Sequence, residues 1–146
     1  MTNKINVGLV GVTGYTGMEL LRLMANHPHM DLTRATSRSE AGKKLVQLFP
    51  FIAGSYLADL EVTQPDADDL AKACDLVFLA VPHKTAMEIS ATLIAAGLKV
   101  VDLSADFRLK DPKVYEQWYA VDHTQTELLK TAVYGQVETN RDKITQ

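Results

Sequence analysis

Ile5 to Val10 form a short apolar run that passes directly into a turn with glycine at every third place, Gly11, Gly14 and Gly17. Met18, Leu21, Met24 and Ala25 then recur at helical spacing, giving one apolar face as far as Asn26. Pro28 closes that helix, because the residue before a proline is pushed out of the helical region. A strand joined to a helix by a turn with almost no side chains must lie closely against that helix. This unit therefore predicts the opening of an α/β sheet.

The rest of the chain repeats the alternation. Leu32 to Thr36 reads as a second strand, and a polar, basic stretch follows from Ser37 to Lys44. Leu45 to Leu57 mixes apolar and turn residues with no regular period. Leu60 to Thr63 reads as a third strand, and Pro65-Asp66 opens a helix with acidic residues where the helix dipole favours them. Asp75 to Val81, nearly all apolar, predicts a strand buried on both faces. Thr85 to Glu88 has capping-box spacing, Ala86, Ile89, Leu93 and Ala96 line one helical face, and Gly97 ends it. Lys99 to Leu103 is a fifth strand. Beyond Arg108 the pattern changes to a helix from Asp111-Pro112, another over Gln125 to Lys130, and a strand over Ala132 to Tyr134. The expected fold is a Rossmann-like, doubly wound parallel sheet with flanking helices, one domain over residues 1–146.

Composition excludes several functions. A net charge of -3 leaves no electrostatic footprint for nucleic acid. No apolar run reaches the ~20 residues needed to span a bilayer, and the first residues lack a signal-peptide layout. The expected location is cytoplasmic. One cysteine rules out a disulfide framework, and Cys74, before the central strand, falls at the sheet edge opposite the glycine turn, as a packing residue. His27, His29 and His123 have no metal-ligand spacing, so no metal is expected. The stripe of Tyr115, Trp118 and Tyr119 reads as core or interface.

The glycine turn carries the first chemistry. A dinucleotide diphosphate needs backbone N–H groups at a helix N-terminus with no side chains in the way. Gly11 permits the tight turn, Gly14 close approach, and Gly17 packing of helix on sheet, while Thr13 and Thr16 can add hydroxyl donors. The end of the second strand sorts NAD from NADP. It carries no acidic residue for a ribose hydroxyl but Thr36-Ser37-Arg38-Ser39, with Lys43 and Lys44 behind, which favours NADP. Pro82-His83 and the string Asp102 to Arg108 end two strands at the edge where open α/β sheets bind ligands. His83 can touch the cofactor or hold its loop. Arg108 suits an anionic substrate group, the alternative being an ion pair with Asp102 or Asp106.

Taken together, GVTGYTGMEL from Gly11, TSRS from Thr36 with Ala41-Gly42-Lys43, Phe49-Pro50, FLAVPH from Phe78, DLSADFRL from Asp102, and Tyr134-Gly135 with Glu138 and Asn140-Arg141 resemble the N-terminal part of the N-acetyl-gamma-glutamyl-phosphate reductases. The likeness runs through essentially the whole chain. It departs at Gln136, Val137 and Thr139, where that family has apolar residues or proline. The resemblance implies NADP-dependent reduction of an acyl phosphate to a semialdehyde in arginine biosynthesis. In that chemistry a cysteine thiolate displaces phosphate and hydride then releases the aldehyde. It implies that Gly11, Thr13, Gly14, Tyr15, Thr16, Gly17, Ser37, Arg38, Pro82 and His83 hold NADP, and that Ser104 and Arg108 meet the substrate. Family members are longer. Their nucleophile, in an Asn-Pro-Gly-Cys-Tyr string, and their substrate domain are expected beyond Gln146, so the chain is expected to bind cofactor without turning over. The longer enzyme is expected to be a homo-oligomer.

Three other readings compete. Aspartate-semialdehyde dehydrogenases share the architecture but fit FLAVPH and DLSADFRL less well. A short-chain dehydrogenase needs a Tyr-x-x-x-Lys pair, and no tyrosine here has lysine four places on. A non-catalytic NADP-binding module is the third, told apart by whether a cysteine motif follows in the gene.

Overall fold

The computed structural model describes residues 4–145. Five strands make one sheet: β1 (Ile5–Val10), β2 (Met30–Thr36), β3 (Val62–Thr63), β4 (Leu76–Leu79) and β5 (Lys99–Asp102). Every pairing between them is parallel and the order is β3-β2-β1-β4-β5. The chain thus leaves β1 toward one edge, returns, and continues from the other side. The crevice between β1 and β4 is the switch point of the sheet. Helices α1 (Tyr15–Met24), α2 (Leu45–Leu48), α3 (Ala67–Ala73) and α4 (Ala86–Ala95) join the strands. Three more follow β5: α5 (Pro112–Tyr119), α6 (Thr126–Thr131) and α7 (Val137–Ile144). Among the described residues no helix is long and apolar enough to cross a membrane.

Two apolar clusters hold the sheet, one on each face, because successive side chains of a strand point in opposite directions. Val7 and Leu9 of β1 join Leu21 and Met24 of α1 with Leu32, Ala35, Leu45, Ile52 and Leu57. Val10 joins Leu70 of α3, Val77 and Leu79 of β4, and Ala86 and Leu93 of α4. Burying each such leucine contributes about 1.5–3 kcal/mol. The segment from Leu45 to Leu57, without a period in the sequence, forms α2 and a 3-10 turn at Pro50–Ile52. It is fixed by three anchors, Leu45, Ile52 and Leu57, each at most 2% exposed.

Both helix starts marked by an acidic residue are present, and in each the acid caps the helix. The carboxylate of Asp66 accepts from the Asp69 amide at 2.9 Å, and that of Asp111 from the Lys113 amide at 2.9 Å.

Three expectations need correction. The central strand runs only from Leu76 to Leu79, and its residues alternate between half-buried and buried instead of being enclosed on both faces. One face of the sheet near β5 is open, with Val101 exposed. The capping box at Thr85 does not form: Thr85 has helical angles and makes no side-chain cap bond. A carboxylate from another loop sits at that helix end, as described below. Ala132 to Tyr134 is not a strand. Ala132 is the C-cap of α6, and the Lys110 ammonium binds the carbonyl oxygens of Leu129 and Ala132, which ties this stretch down as a helix end.

Candidate dinucleotide site

The C-terminal ends of β1, β2, β4 and β5 bring together most of the residues singled out by sequence. At the centre is the glycine turn. Gly11 has φ of +89°, in the left-handed region, and a methyl group there would collide with the Ala80 carbonyl at the end of β4. Gly17 is buried, and a methyl group on it would collide with the Gly11 carbonyl oxygen and the Val12 backbone. These two glycines are demanded by the protein's own packing. Gly14 differs: a methyl group would meet nothing nearer than the Gly11 oxygen at 3.7 Å. Its bareness serves no internal contact.

Gly14 is the N-cap of α1 and provides no side-chain bond to the first turn, which also lacks an acidic residue. The first-turn amides of Tyr15, Thr16 and Gly17 therefore have no acceptor within the helix, and the positive end of its dipole is uncompensated. Tyr15 is 91% exposed. The turn itself is fixed, since the amides of Gly11 and Val12 both donate to the Thr36 carbonyl at 3.1 Å.

That bond joins the turn to the end of β2. There the Thr13 and Ser37 hydroxyls lie 3.3 Å apart, and those of Ser37 and Ser39 3.4 Å apart. Ser37 is buried and anchored by its amide to the Thr63 carbonyl. Three cations follow, and they are not equivalent. Lys43 pairs with Glu40 at 2.5 Å and Lys44 with Asp59 at 2.7 Å. Asp59 is thereby held below the usual carboxylate range. Among the described residues Arg38 has no acidic partner. Its carbonyl is held by the Gln64 side chain at 3.0 Å. Arg38 lines a cleft of about 400 Å3 with Gln64, Asp66, Leu70, Glu88, Ile89 and Thr92.

On the other side of the switch point, Pro82 and His83 follow β4 and the string from Leu103 to Arg108 follows β5. His83 is exposed, but its Nδ1 accepts a bond from the Ala105 amide at 3.1 Å. Arg108 is exposed and donates to the Leu103 carbonyl at 3.1 Å; among the described residues it has no ion pair with Asp102 or Asp106. It lines a groove of about 650 Å3 beside Leu103, Phe107 and Tyr134. Ser104 is placed differently from the others. It is 4% exposed, and its hydroxyl donates to Asp102 at 2.7 Å and accepts from the Asp106 amide at 3.1 Å. Ser104 thus holds the loop from inside. Burial pushes the Asp102 carboxyl up, against the two bonds from Ser104 that pull it down.

Cys74 lies away from this edge, buried beside Thr33 near the N-terminal end of β4. Burial raises its thiol, which disfavours the thiolate. The aromatic stripe divides: Tyr115 is fully buried, Tyr119 half-buried, and Trp118 76% exposed.

Sequence reasoning passed over Asp106 except as a partner for Arg108. It is fully buried and joins several of these groups. No local pattern marks its carboxylate, whose partners Tyr115 and Lys84 lie 9 and 22 residues away.

Residues 6–146 match the family model described as semialdehyde dehydrogenase, NAD binding domain. An N-acetyl-gamma-glutamyl-phosphate reductase of Nitrosococcus oceani is 51% identical over 142 residues, which are 97% of this chain and 41% of that protein. A protein of the same name from Herminiimonas arsenicoxydans is 51% identical over 140 residues, covering 96% of this chain and 40% of the relative. The chain spans about two fifths of the length of the curated relatives it matches. Among solved structures, aspartate semialdehyde dehydrogenase with NADP from Candida albicans is similar with a TM-score of 0.59 and 26% identity, over 74% of this chain and 32% of that one. Aspartate semialdehyde dehydrogenase II of Vibrio cholerae shares the fold with a TM-score of 0.56 at 17% identity, over 73% of this chain and 30% of that one.

Proposed function

The chain belongs to the semialdehyde dehydrogenase NAD-binding domain family, and from that membership we propose that it is the NADP-binding part of an N-acetyl-gamma-glutamyl-phosphate reductase. The observation that carries the reading is the uncompensated N-terminus of α1 together with the guanidinium of Arg38, which has no acidic partner among the described residues. A diphosphate supplies what the first-turn amides lack, and a ribose 2′-phosphate supplies what Arg38 lacks. Thr13, Ser37 and Ser39 add hydroxyls between them. In the cleft that Arg38 lines, Leu70 and Ile89 offer apolar contact for an adenine ring, beside the acidic Asp66 and Glu88. These residues suit a phosphorylated dinucleotide better than NAD, whose ribose hydroxyl calls for a carboxylate that this strand end does not carry.

The names of the relatives support the substrate, an acyl phosphate reduced to a semialdehyde. The dinucleotide, when bound, supplies the hydride for that reduction. The chain's own residues bind and orient. Arg108, which forms no ion pair among the described residues, holds the transferable phosphate, and Ser104 fixes its loop from within. Pro82 and His83 follow β4 at the same sheet edge, where His83 holds the Ala105 amide, and they meet the cofactor there. The 51% identity to proteins named as reductases of N-acetyl-gamma-glutamyl phosphate favours this substrate over that of the aspartate semialdehyde dehydrogenases.

Fluorescence titration of the chain with NADPH and with NADH tests the reading. NADPH is expected to bind at least about tenfold more tightly, the effect of one charge-assisted contact. Equal affinities, or binding of neither, overturn it. Gly14 gives a second handle. Gly14→Ala is expected to leave thermal stability within about 1 kcal/mol, since its backbone angles and surroundings accept a methyl group. NADPH affinity falls at least about tenfold because the methyl group stands between diphosphate and amides. Unchanged affinity in a folded Gly14→Ala protein removes the glycine turn from the site.

A further inference from the structure

Asp106 is a fully buried carboxylate with no cation beside it among the described residues. Such a charge is costly to bury unless hydrogen bonds replace its hydration. Here the Lys84 amide donates to both oxygens at 3.0 Å, and the Tyr115 hydroxyl donates to Oδ1 at 2.8 Å. The bonded amide is that of Lys84, one residue before the N-cap Thr85 of α4, so the carboxylate lies on the side of that helix where the dipole favours an anion.

The consequence lies in the backbone. Lys84 has φ of +79°, in the left-handed region that a lysine adopts only when its surroundings hold it there. Two contacts hold it: the Thr85 amide closes the turn onto the Pro82 carbonyl at 3.3 Å, and Asp106 accepts the Lys84 amide with both oxygens. The neighbour on one side of Lys84 is His83, whose ring accepts the Ala105 amide, one residue before Asp106. Two bonds between consecutive residues on each side thus clamp the loop after β4 to the loop after β5. Because Nδ1 of His83 is the acceptor, the neutral ring carries its proton on Nε2. On the far side, Tyr115 stacks on Tyr119 at 4.8 Å, and Tyr119 meets the His83 ring edge-on at 5.3 Å. The His123 ring, also packed on Tyr115, binds the Asp106 carbonyl at 2.7 Å. The Tyr115 phenol is pushed well above its usual range by burial and by its bond to Asp106, so it remains a donor.

We infer that Asp106 is a positioning residue, which fixes His83 at the dinucleotide site by holding Lys84 in its left-handed conformation and so locking the loops after β4 and β5 together. The inference rests on the reading that the dinucleotide lies across these strand ends. Titration of the unaltered chain with NADPH tests that reading separately, and the variants below are compared with it.

Asp106→Asn keeps the shape but offers the Lys84 amide one acceptor in place of two. NADPH affinity is expected to fall about tenfold, the effect of losing a hydrogen bond to a charged group. The NADPH to NADH ratio stays as it was, because Arg38 is at the other end of the site. In nitrogen-15 spectra, the His83 ring is expected to lose its single-tautomer signature. The double variant Asp106→Asn with Lys84→Gly restores affinity to within about twofold, because glycine takes φ of +79° without a carboxylate to hold it. Should Asp106→Asn fail to fold, Tyr115→Phe serves in its place. It removes one donor and leaves the carboxylate, with a smaller fall in affinity that Lys84→Gly again reverses. Unchanged NADPH affinity and unchanged His83 resonances in a folded variant overturn the inference. So does a fall in affinity that Lys84→Gly does not repair, since Asp106 would then support the fold without setting the loop.

Discussion

Gly11→Ala is expected to destabilise the chain by about 2–4 kcal/mol and to abolish dinucleotide binding. Two costs add. A side chain at φ of +89° carries the penalty of the left-handed region, and its methyl group runs into the Ala80 carbonyl at the end of β4. Moving that carbonyl means turning the chain just after the Ala80 amide, which is bonded to the Val10 carbonyl at 2.8 Å and ties the end of β4 to β1. For a chain of this length the loss corresponds to roughly 6–12 °C in Tm. Thermal unfolding followed by circular dichroism measures it. A change below about 1 kcal/mol contradicts the packing described here. The contrast with Gly14→Ala is the informative part: two glycines of one turn, three residues apart, one required by the protein and the other by what binds to it.

Arg38→Ala carries the second large effect. The guanidinium is exposed and has no acidic partner among the described residues, so its removal breaks no ion pair within the fold. Stability is expected to change by less than about 0.5 kcal/mol. NADPH affinity is expected to fall about 10- to 100-fold, the range for a hydrogen-bonded charge pair of about 1.5–3 kcal/mol. NADH affinity stays level, since that ligand has no 2′-phosphate to lose. Lys43→Ala and Lys44→Ala are the controls. Both lysines are already paired with Glu40 and Asp59, so the NADPH to NADH ratio is expected to move little in either. A larger change in Lys43→Ala or Lys44→Ala than in Arg38→Ala assigns the 2′-phosphate to the wrong cation. Calorimetric titration of each variant with both dinucleotides decides between them.

How much of this was legible in the sequence depends on how local the cause is. β1, the glycine turn and α1 follow from neighbouring residues, through the apolar run, the glycine spacing and the helical period of Leu21 and Met24. The acids Asp66 and Asp111 cap helices three and two residues away, and both were readable. Failures come where the partner is distant. Thr85 looked like a cap because Glu88 stands three places on, yet it makes no cap bond, and the loop before α4 is held instead by Asp106, bonded to Lys84 across 22 residues. Ala132 to Tyr134 has the composition of a strand, but Lys110 holds the end of α6 there and fixes a different backbone. The segment from Leu45 to Leu57 has no period because its three anchors sit in separate turns, each fitted to α1 and β2. Within the site, the residue types at the strand ends were readable. Which of Arg38, Lys43 and Lys44 is free for a ligand was not, since the Lys44 partner, Asp59, is 15 residues away.

The most direct measurement is a crystal structure of this chain with NADP bound. The diphosphate is expected within hydrogen-bond distance of the amides of Tyr15, Thr16 and Gly17, with the 2′-phosphate between Ser37 and the guanidinium of Arg38. A dinucleotide seated elsewhere, or one whose 2′-phosphate points to solvent away from Arg38, contradicts this placement.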